Sequence, residues 1–578
     1  MDAHLFRTKS IEQLVGDAEH GGKALKRSLT AWDLTLLGIG GIIGTGIFVL
    51  TGTAAANQAG PGIVLSYLAA GLACGFAAPC YAEFASMVPI AGSAYTYAYA
   101  SLGEIVAWMI GWDLILEYAV GSMTVAIGWS GYMQRVLAGF GIELPLWMTA
   151  APGAATPGTV INLPAVLIVL GIMSLLVIGV RESARVNAVM VAIKGAVVVF
   201  FIALGASWVE PANWTPFMPY GTSGVMAAAA VVFFAYIGFD AVSTTAEEAR
   251  NPRRDLPIGI IASLVVCTIL YLAVAAVLSG IVPVTQYRIN PDALPGVPTA
   301  DPGAVQQFLN APVAYALTLI GQDWASFLVS AGAVAGITSV LLVLLLSQPR
   351  IFFAMSRDGL LPRAVSKVHP RYGTPYITTI ITCVVVAIVA GLTQIPVVGE
   401  MTSIGTLFAF VVVCAAVLIL RRRRPDAVRP FRVAGGPIIP VLGILSCLWL
   451  MLSLPVITWA RFLIWLDIGV LIYWFYGRKH SPLADRQAQR RTASATAFGD
   501  FVTMLGGLTL FNGIAVTLLA YMTEFGITTE VTAKWGEIGL TPEGADVVAL
   551  QVVGAGAILL IIGRVIARMG TGATPATT

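Results

Sequence analysis

Charge is what this sequence has least of. Only 11% of its 578 residues are Asp, Glu, Lys or Arg, against roughly 25% in an average soluble protein. So few charges cannot coat a globule of this size, which excludes an ordinary water-soluble domain. Histidine is scarcer still. His4, His20, His369 and His480 all fall outside the apolar runs and form no ligand cluster, so no metal is expected. The cysteines, Cys74, Cys80, Cys267, Cys383, Cys414 and Cys447, make no CxxC pair and lie in apolar runs. They read as small packing residues rather than a disulfide or zinc framework. No Gly-Lys-Ser or Gly-Lys-Thr follows a glycine turn, so neither a nucleotide motor nor a cofactor is implied. The net charge of +3 is too small to argue for nucleic acid. The first thirty residues are polar, with Arg7, Lys9, Lys23, Lys26 and Arg27, and do not read as a cleavable signal peptide.

Apolar residues are what is there: they make up 57% of the chain. A membrane-spanning helix needs about 20 mostly apolar residues. Fourteen stretches qualify, at roughly 33–56, 61–87, 104–137, 161–180, 187–208, 224–246, 256–282, 322–355, 375–394, 397–420, 437–455, 459–477, 499–522 and 547–568. Lys and Arg then orient the chain. With the N-terminus inside, most of the 33 basic residues fall on inner segments. Arg181, Arg185, Arg250, Arg253, Arg254 and the Arg421–Arg424 run are among them. The outer side holds Arg135, Arg288, Arg461 and Lys534. Both termini are expected in the cytoplasm. The Arg421–Arg424 run reads as a flank facing anionic lipid. The outer loop 283–321 reads as a cover without chemistry.

Two spans are interrupted. The first reads Leu37-Gly-Ile-Gly-Gly-Ile-Ile-Gly-Thr-Gly-Ile47, with glycine at 38, 40, 41, 44 and 46. Each interior glycine weakens a helix by about 1 kcal/mol relative to alanine. An opened helix in a bilayer leaves peptide groups that something polar must satisfy. A new N-terminus offers amides to an anion, and a new C-terminus offers carbonyls to a cation. An amino-acid zwitterion presents both groups about one bond length apart. A small-residue packing seam is the simpler alternative. The sixth span tips the balance, because Val231-Val-Phe-Phe-Ala-Tyr-Ile-Gly-Phe-Asp240 places a glycine and a carboxylate inside an apolar run. Breaks five spans apart are the footprint of two inverted five-helix repeats.

These stretches resemble the amino acid–polyamine–organocation superfamily, and within it the bacterial members of the cationic amino acid transporter family. The matching pieces are the glycine run at 38–48, Glu83 to Tyr97, Phe233 to Pro252 and Gln348 to Pro362. The resemblance covers about 25–480. It implies an all-α membrane protein with a leucine-transporter-like 5+5 inverted repeat and discontinuous first and sixth helices. Four further helices follow, two of them beyond the twelve-helix bacterial pattern. The chain then divides into a cytoplasmic segment 1–30, a ten-helix transport core 31–420, a basic loop with helices 11–12 over 421–477, and helices 13–14 with a cytoplasmic tail over 478–578. By resemblance, the amides of Ile43, Gly44, Thr45 and Gly46 hold the substrate carboxylate. The carbonyls of Ile42, Phe234, Ala235 and Ile237 hold its ammonium, and the Phe234 ring closes the site outward.

Lys194 lies well inside the fifth span, where a lysine costs about 2.5–3.5 kcal/mol even on a lenient scale. A lysine that alternates between charged and neutral carries a proton; snorkelling to the inner boundary is the alternative. By resemblance, Lys194 takes the place of a sodium ion and bonds the backbone near Gly41, which implies proton coupling. Glu117 and Asp240 are expected in polar networks near the site, with Asp113 one turn before Glu117 on the same helix face. Asp33, Asp113, Asp323 and Asp467 read as interfacial. Glu247 and Glu248 read as an inner ion-pair cluster.

The expectation is therefore no enzyme but a multi-pass importer in a bacterial inner membrane. It moves L-amino acids with protons by alternating access. Leu341, placed at the pocket by resemblance, favours small neutral substrates such as alanine. A cationic amino-acid transporter, an exchanger, a non-transporting receptor and a channel remain as rivals. Substrate, proton and membrane lipid are the expected partners. Helices 13–14, with the small residues Gly554–Ala557, are candidates for docking a small membrane subunit or a second copy.

Overall fold

The computed structural model describes residues 29–481, apart from 89–92, 155, 179–183, 245–248 and 373, together with 502, 505–510, 512–514 and 553. The N-terminal basic residues, Arg181, Glu247, Glu248, Gly554–Ala557 and most of the last two expected spans lie outside the described residues. So do the side chain of Arg185 and any partner those spans would dock. Two compact units meet at Leu454 and Pro455.

In the first unit, α1 covers Ala31–Ile42. Thr30 and Asp33 close its start with a reciprocal capping box. Helical turns resume at Gly46 and run to Ala59. Then come α2 (Ile63–Met87), α3 (Ser93–Ser101), α4 (Glu104–Gly139), α5 (Leu163–Ile178), α6 (Ala184–Gly205) and α7 (Gly221–Val232). They are followed by α8 (Pro252–Ile281), α9 (Pro302–Asn310), α10 (Pro312–Leu319), α11 (Asp323–Arg357), α12 (Tyr376–Leu392), α13 (Ile395–Arg423) and α14 (Ile438–Leu452). The second unit opens with α15 (Val456–Ile472). Among the described residues there is no β-strand, only a lone bridge between Leu29 and Ala249.

Among the described residues, seven helical stretches are long and apolar enough to cross a membrane. Exposed helix faces are apolar too. On α12, a shorter apolar helix, Ile381, Val385, Ile388 and Leu392 are exposed while Thr378, Thr382 and Val386 are buried. On α2, Leu65, Leu68 and Leu72 are exposed opposite Tyr67, Ala70 and Cys74. Helices apolar all round need a hydrocarbon solvent, because in water such patches drive aggregation. The chain is a multi-pass membrane protein.

The most extensive pairings in the first unit are α4 with α11 and α2 with α8, and four others surround them: α4 packs on α13 and α11 on α6; α8 packs on α1 and α2 on α7. α4 is buried along most of its length, from Ala107 to Tyr132, and reaches the first broken helix, where Thr45 Oγ1 lies 3.5 Å from Val125 O. The loop 283–321 carries short helices of its own. α9 is capped by Asp301 and buries Val305, Phe308 and Leu309. Asp301-Pro302 and Ala311-Pro312 are start signals that the proline-rich composition obscured.

Candidate functional site

α1 and α7 break beside each other. After α1, Ile43 is extended (ψ 104°) and its amide bonds back to the Ile39 carbonyl. After α7, the chain tightens through Phe233–Tyr236, and Ile237 is extended (ψ 134°). Gly238 takes φ +120°, and four helical residues follow at Ala241–Thr244. The breaks touch through glycine. A Cβ on Gly238 would lie 2.6 Å from the Gly41 carbonyl carbon, and one on Gly46 would overlap Ala235.

Breaking a helix frees carbonyls, and tyrosines take them up. Tyr271 on α8 lies 2.8 Å from the Ile42 carbonyl and 2.8 Å from that of Ala235. Tyr67 donates to Gly46 O at 3.2 Å, and Tyr132 to Phe48 O at 2.6 Å. A phenol has one proton, so Tyr271 serves one of its two carbonyls at a time, and the other can accept from an ammonium group. Sequence reasoning missed these tyrosines. The available signal was a phenol inside an apolar run, which needs a partner when buried.

A cavity opens at the crossing. Its rim includes Ile42, Gly44, Thr45, Gly46, Phe234 and Ile237. Ile43 and Ala235 stand just behind it: the first offers its carbonyl to Lys194, the second to Tyr271. Glu117 and Asp240 line one part. Asp240 Oδ1 accepts from the Gly238 amide at 3.2 Å. Gly121, Val125, Val340, Val343 and Leu344 make an apolar wall, and Thr402 joins them. Leu341 is fully buried and is not among the residues that line the cavity. Val340 and Leu344 are, because residues four apart share a helix face and residue 341 is turned about 100° away.

Lys194 is fully buried, not snorkelling. Its Nζ donates to Gly40 O at 2.5 Å, Ile43 O at 3.1 Å and Ser339 Oγ at 3.3 Å. The acceptors flank Gly41 rather than include it. Gly336 on α11 leaves room for the lysine stem, since a Cβ there would lie 3.0 Å from Lys194 Cβ.

Two other charges are corrected. Asp113 is not interfacial: it is fully buried, and neither carboxyl oxygen has a hydrogen-bond partner among the described residues. Gly405 on α13 makes its space. Arg421 is not a lipid-facing flank. It pairs with Glu83, which is buried on α2 and also accepts from the Val433 amide at 2.9 Å. Among the described residues no cluster of His, Cys, Asp and Glu could hold a metal.

Comparison with known proteins fits this geometry. The amino acid permease family matches residues 29–475. The branched-chain amino acid permease BcaP of Bacillus subtilis is 52% identical over 484 residues, which span 84% of this chain and 100% of that protein. A methylthioribose transporter of the same organism is 48% identical over 479 residues, 83% of this chain and 99% of that one. The vacuolar cationic amino acid transporter 4 of Arabidopsis thaliana is 38% identical over 432 residues, 73% of this chain and 68% of that one. These relatives are permeases and transporters, not enzymes. With the match running through both broken helices and every wall of the cavity, the chain belongs to the amino acid permease family.

Proposed function

We propose that this permease imports neutral aliphatic L-amino acids together with protons, by alternating access across a bacterial plasma membrane, with both termini cytoplasmic. The amides of Ile43, Gly44, Thr45 and Gly46 hold the carboxylate, as the first turn of a half-helix is suited to do. The carbonyls of Ile42, Phe234, Ala235 and Ile237 hold the ammonium, in exchange with the Tyr271 hydroxyl. Phe234 closes the site outward. Glu117 and Asp240 form the polar network beneath. The side chain faces Val125, Val340, Val343 and Leu344, a wall suited to alkyl groups from alanine to the branched chains. Two bacterial relatives are named for branched-chain substrates. The four helix pairings repeat under a shift of five spans: α4 on α13 mirrors α11 on α6, and α2 on α7 mirrors α8 on α1. That supports two inverted five-helix repeats rocking about the site.

One observation carries the coupling: the Lys194 ammonium bonds the carbonyls of Gly40, in the last turn of α1, and Ile43, at the break itself. A cation there holds the open end of the first half-helix as a metal ion would. Loss of its proton removes the charge-assisted bonds and loosens the break at which substrate sits.

A second reading has its own support. Glu117 and Asp240 in the cavity suit a cationic side chain, and several plant relatives are named for cationic amino acids. Uptake into proteoliposomes decides, with labelled alanine, leucine and arginine, methylthioribose as competitor, and an inward proton gradient, sodium gradient or neither. Proton-stimulated uptake of alanine and leucine is expected. Lys194→Met should abolish accumulation against a gradient. Sodium-driven uptake would sink the lysine argument, arginine preference would favour the second reading, and uptake only against internal amino acid would make the protein an exchanger.

A further inference from the structure

Resting on the neutral-substrate reading, we infer that Gly121 sets the size of substrate this permease accepts: its missing side chain is the room that admits a branched aliphatic group rather than a methyl.

Five glycines line the cavity: Gly41, Gly44, Gly46, Gly121 and Gly238. Four are explained by their neighbours. A Cβ on Gly41 would lie 3.1 Å from the Gly238 carbonyl oxygen, one on Gly44 3.1 Å from Val340, and one on Gly238 2.6 Å from the Gly41 backbone; Gly46 is covered by Ala235. Gly121 is different. A Cβ there would meet Thr402 Cγ2 at 3.5 Å and Leu344 Cδ1 at 3.7 Å, ordinary contacts that displace nothing. It sits in mid-helix, within α4, where alanine is the better helix former. Neither packing nor backbone conformation calls for glycine at this position.

The atoms that face the absent Cβ identify the space. Thr402 and Leu344 both line the cavity, so a methyl on Gly121 would stand between them, on the apolar side away from the amides of the broken first helix. That is where a side chain projects once its carboxylate and ammonium are held at the break. A methyl group on Gly121 therefore competes with the substrate's own second and third carbons. A substrate with one side-chain carbon loses nothing.

The test is transport by the full chain with Gly121→Ala, measured as initial rates for labelled alanine, valine and leucine in proteoliposomes. The KM for alanine should change less than that for valine, and that for valine less than that for leucine. The KM for leucine should rise by about tenfold to a hundredfold, the range that one methyl group commands in an apolar pocket. Leu344→Ala, which retracts the side chain beside Gly121, should shift preference the other way, and the double variant should recover leucine. If Gly121→Ala fails to insert, the Leu344→Ala arm and its leucine-to-alanine ratio decide alone. An unchanged leucine-to-alanine ratio in the variants, or equal loss of all three substrates by protein that is folded, would overturn the inference. So would a wild type that carries alanine and excludes leucine, which leaves the neutral-substrate reading intact. A wild type that carries none of the three sinks that reading itself.

Discussion

Asp113 shows what a single residue can reveal. Its carboxyl group is fully buried and both oxygens lack partners among the described residues. A buried polar group left without a partner costs about 1–3 kcal/mol. Leucine has the same branched shape without the polar atoms, so Asp113→Leu should raise stability by about 1–3 kcal/mol, read as a higher melting temperature in detergent. A fall would mean that an unseen water or ion holds the carboxyl. The sequence placed this aspartate at an interface because position along an apolar run was the only guide. Its real setting depends on Gly405, nearly three hundred residues away in the chain. Lys194 was more legible. Its depth in the span marked it as a candidate proton carrier, and the family resemblance, not the residues, aimed it at the backbone near Gly41. The individual acceptors, Gly40 and Ile43, come only from geometry.

At the scale of elements, the seam between α6 and α11 carries the lysine into place. Gly332, Gly336 and Ser339 follow a helical i, i+4, i+7 stripe. A Cβ on Gly332 would overlap Val197, one on Gly336 would crowd the Lys194 stem, and Ser339 bonds its Nζ. Small residues let membrane helices approach closely where no hydrophobic drive exists between them. Gly332→Ala should therefore destabilise the protein by about 1–3 kcal/mol and weaken gradient-driven uptake by moving Lys194 off its carbonyls. Val197→Ala in the same chain should restore much of both. Unchanged melting and uptake in the single variant would show that the seam is loose. The spans themselves were readable because hydrocarbon demands long apolar runs and tolerates few charges. The two breaks were readable because glycine and Asp240 are out of place in such runs. What hydropathy does not encode is pairing: Glu83 with Arg421 and the Tyr271 phenol with two breaks are contacts across more than thirty residues of chain. An ungapped match likewise gives a neighbourhood, and a turn of 100° per residue decides which of Val340, Leu341 and Leu344 faces the cavity.

At the scale of the whole molecule, the chain is longer than the family's transport machinery. The family match ends at residue 475, and the Bacillus relatives are covered over 100% and 99% of their length by 84% and 83% of this chain. The cavity, both breaks and Lys194 all lie before Leu454, in the first compact unit. A chain ending after His480 should therefore insert, bind and transport with a KM close to that of the full protein. Its stability should drop somewhat, because α15 loses a partner: Asp467 accepts from Asn512 at 2.9 Å, and the truncation leaves that carboxylate without it. Asp467→Asn in the shortened chain removes the stranded charge and should recover part of the lost melting temperature. The comparison is made by uptake and by thermal melting on the same three preparations. A shortened chain that inserts and melts cooperatively but carries no substrate would assign residues 481–578 a direct part in transport. Retained uptake would leave them a role outside the transport cycle, such as holding a second copy or another membrane protein.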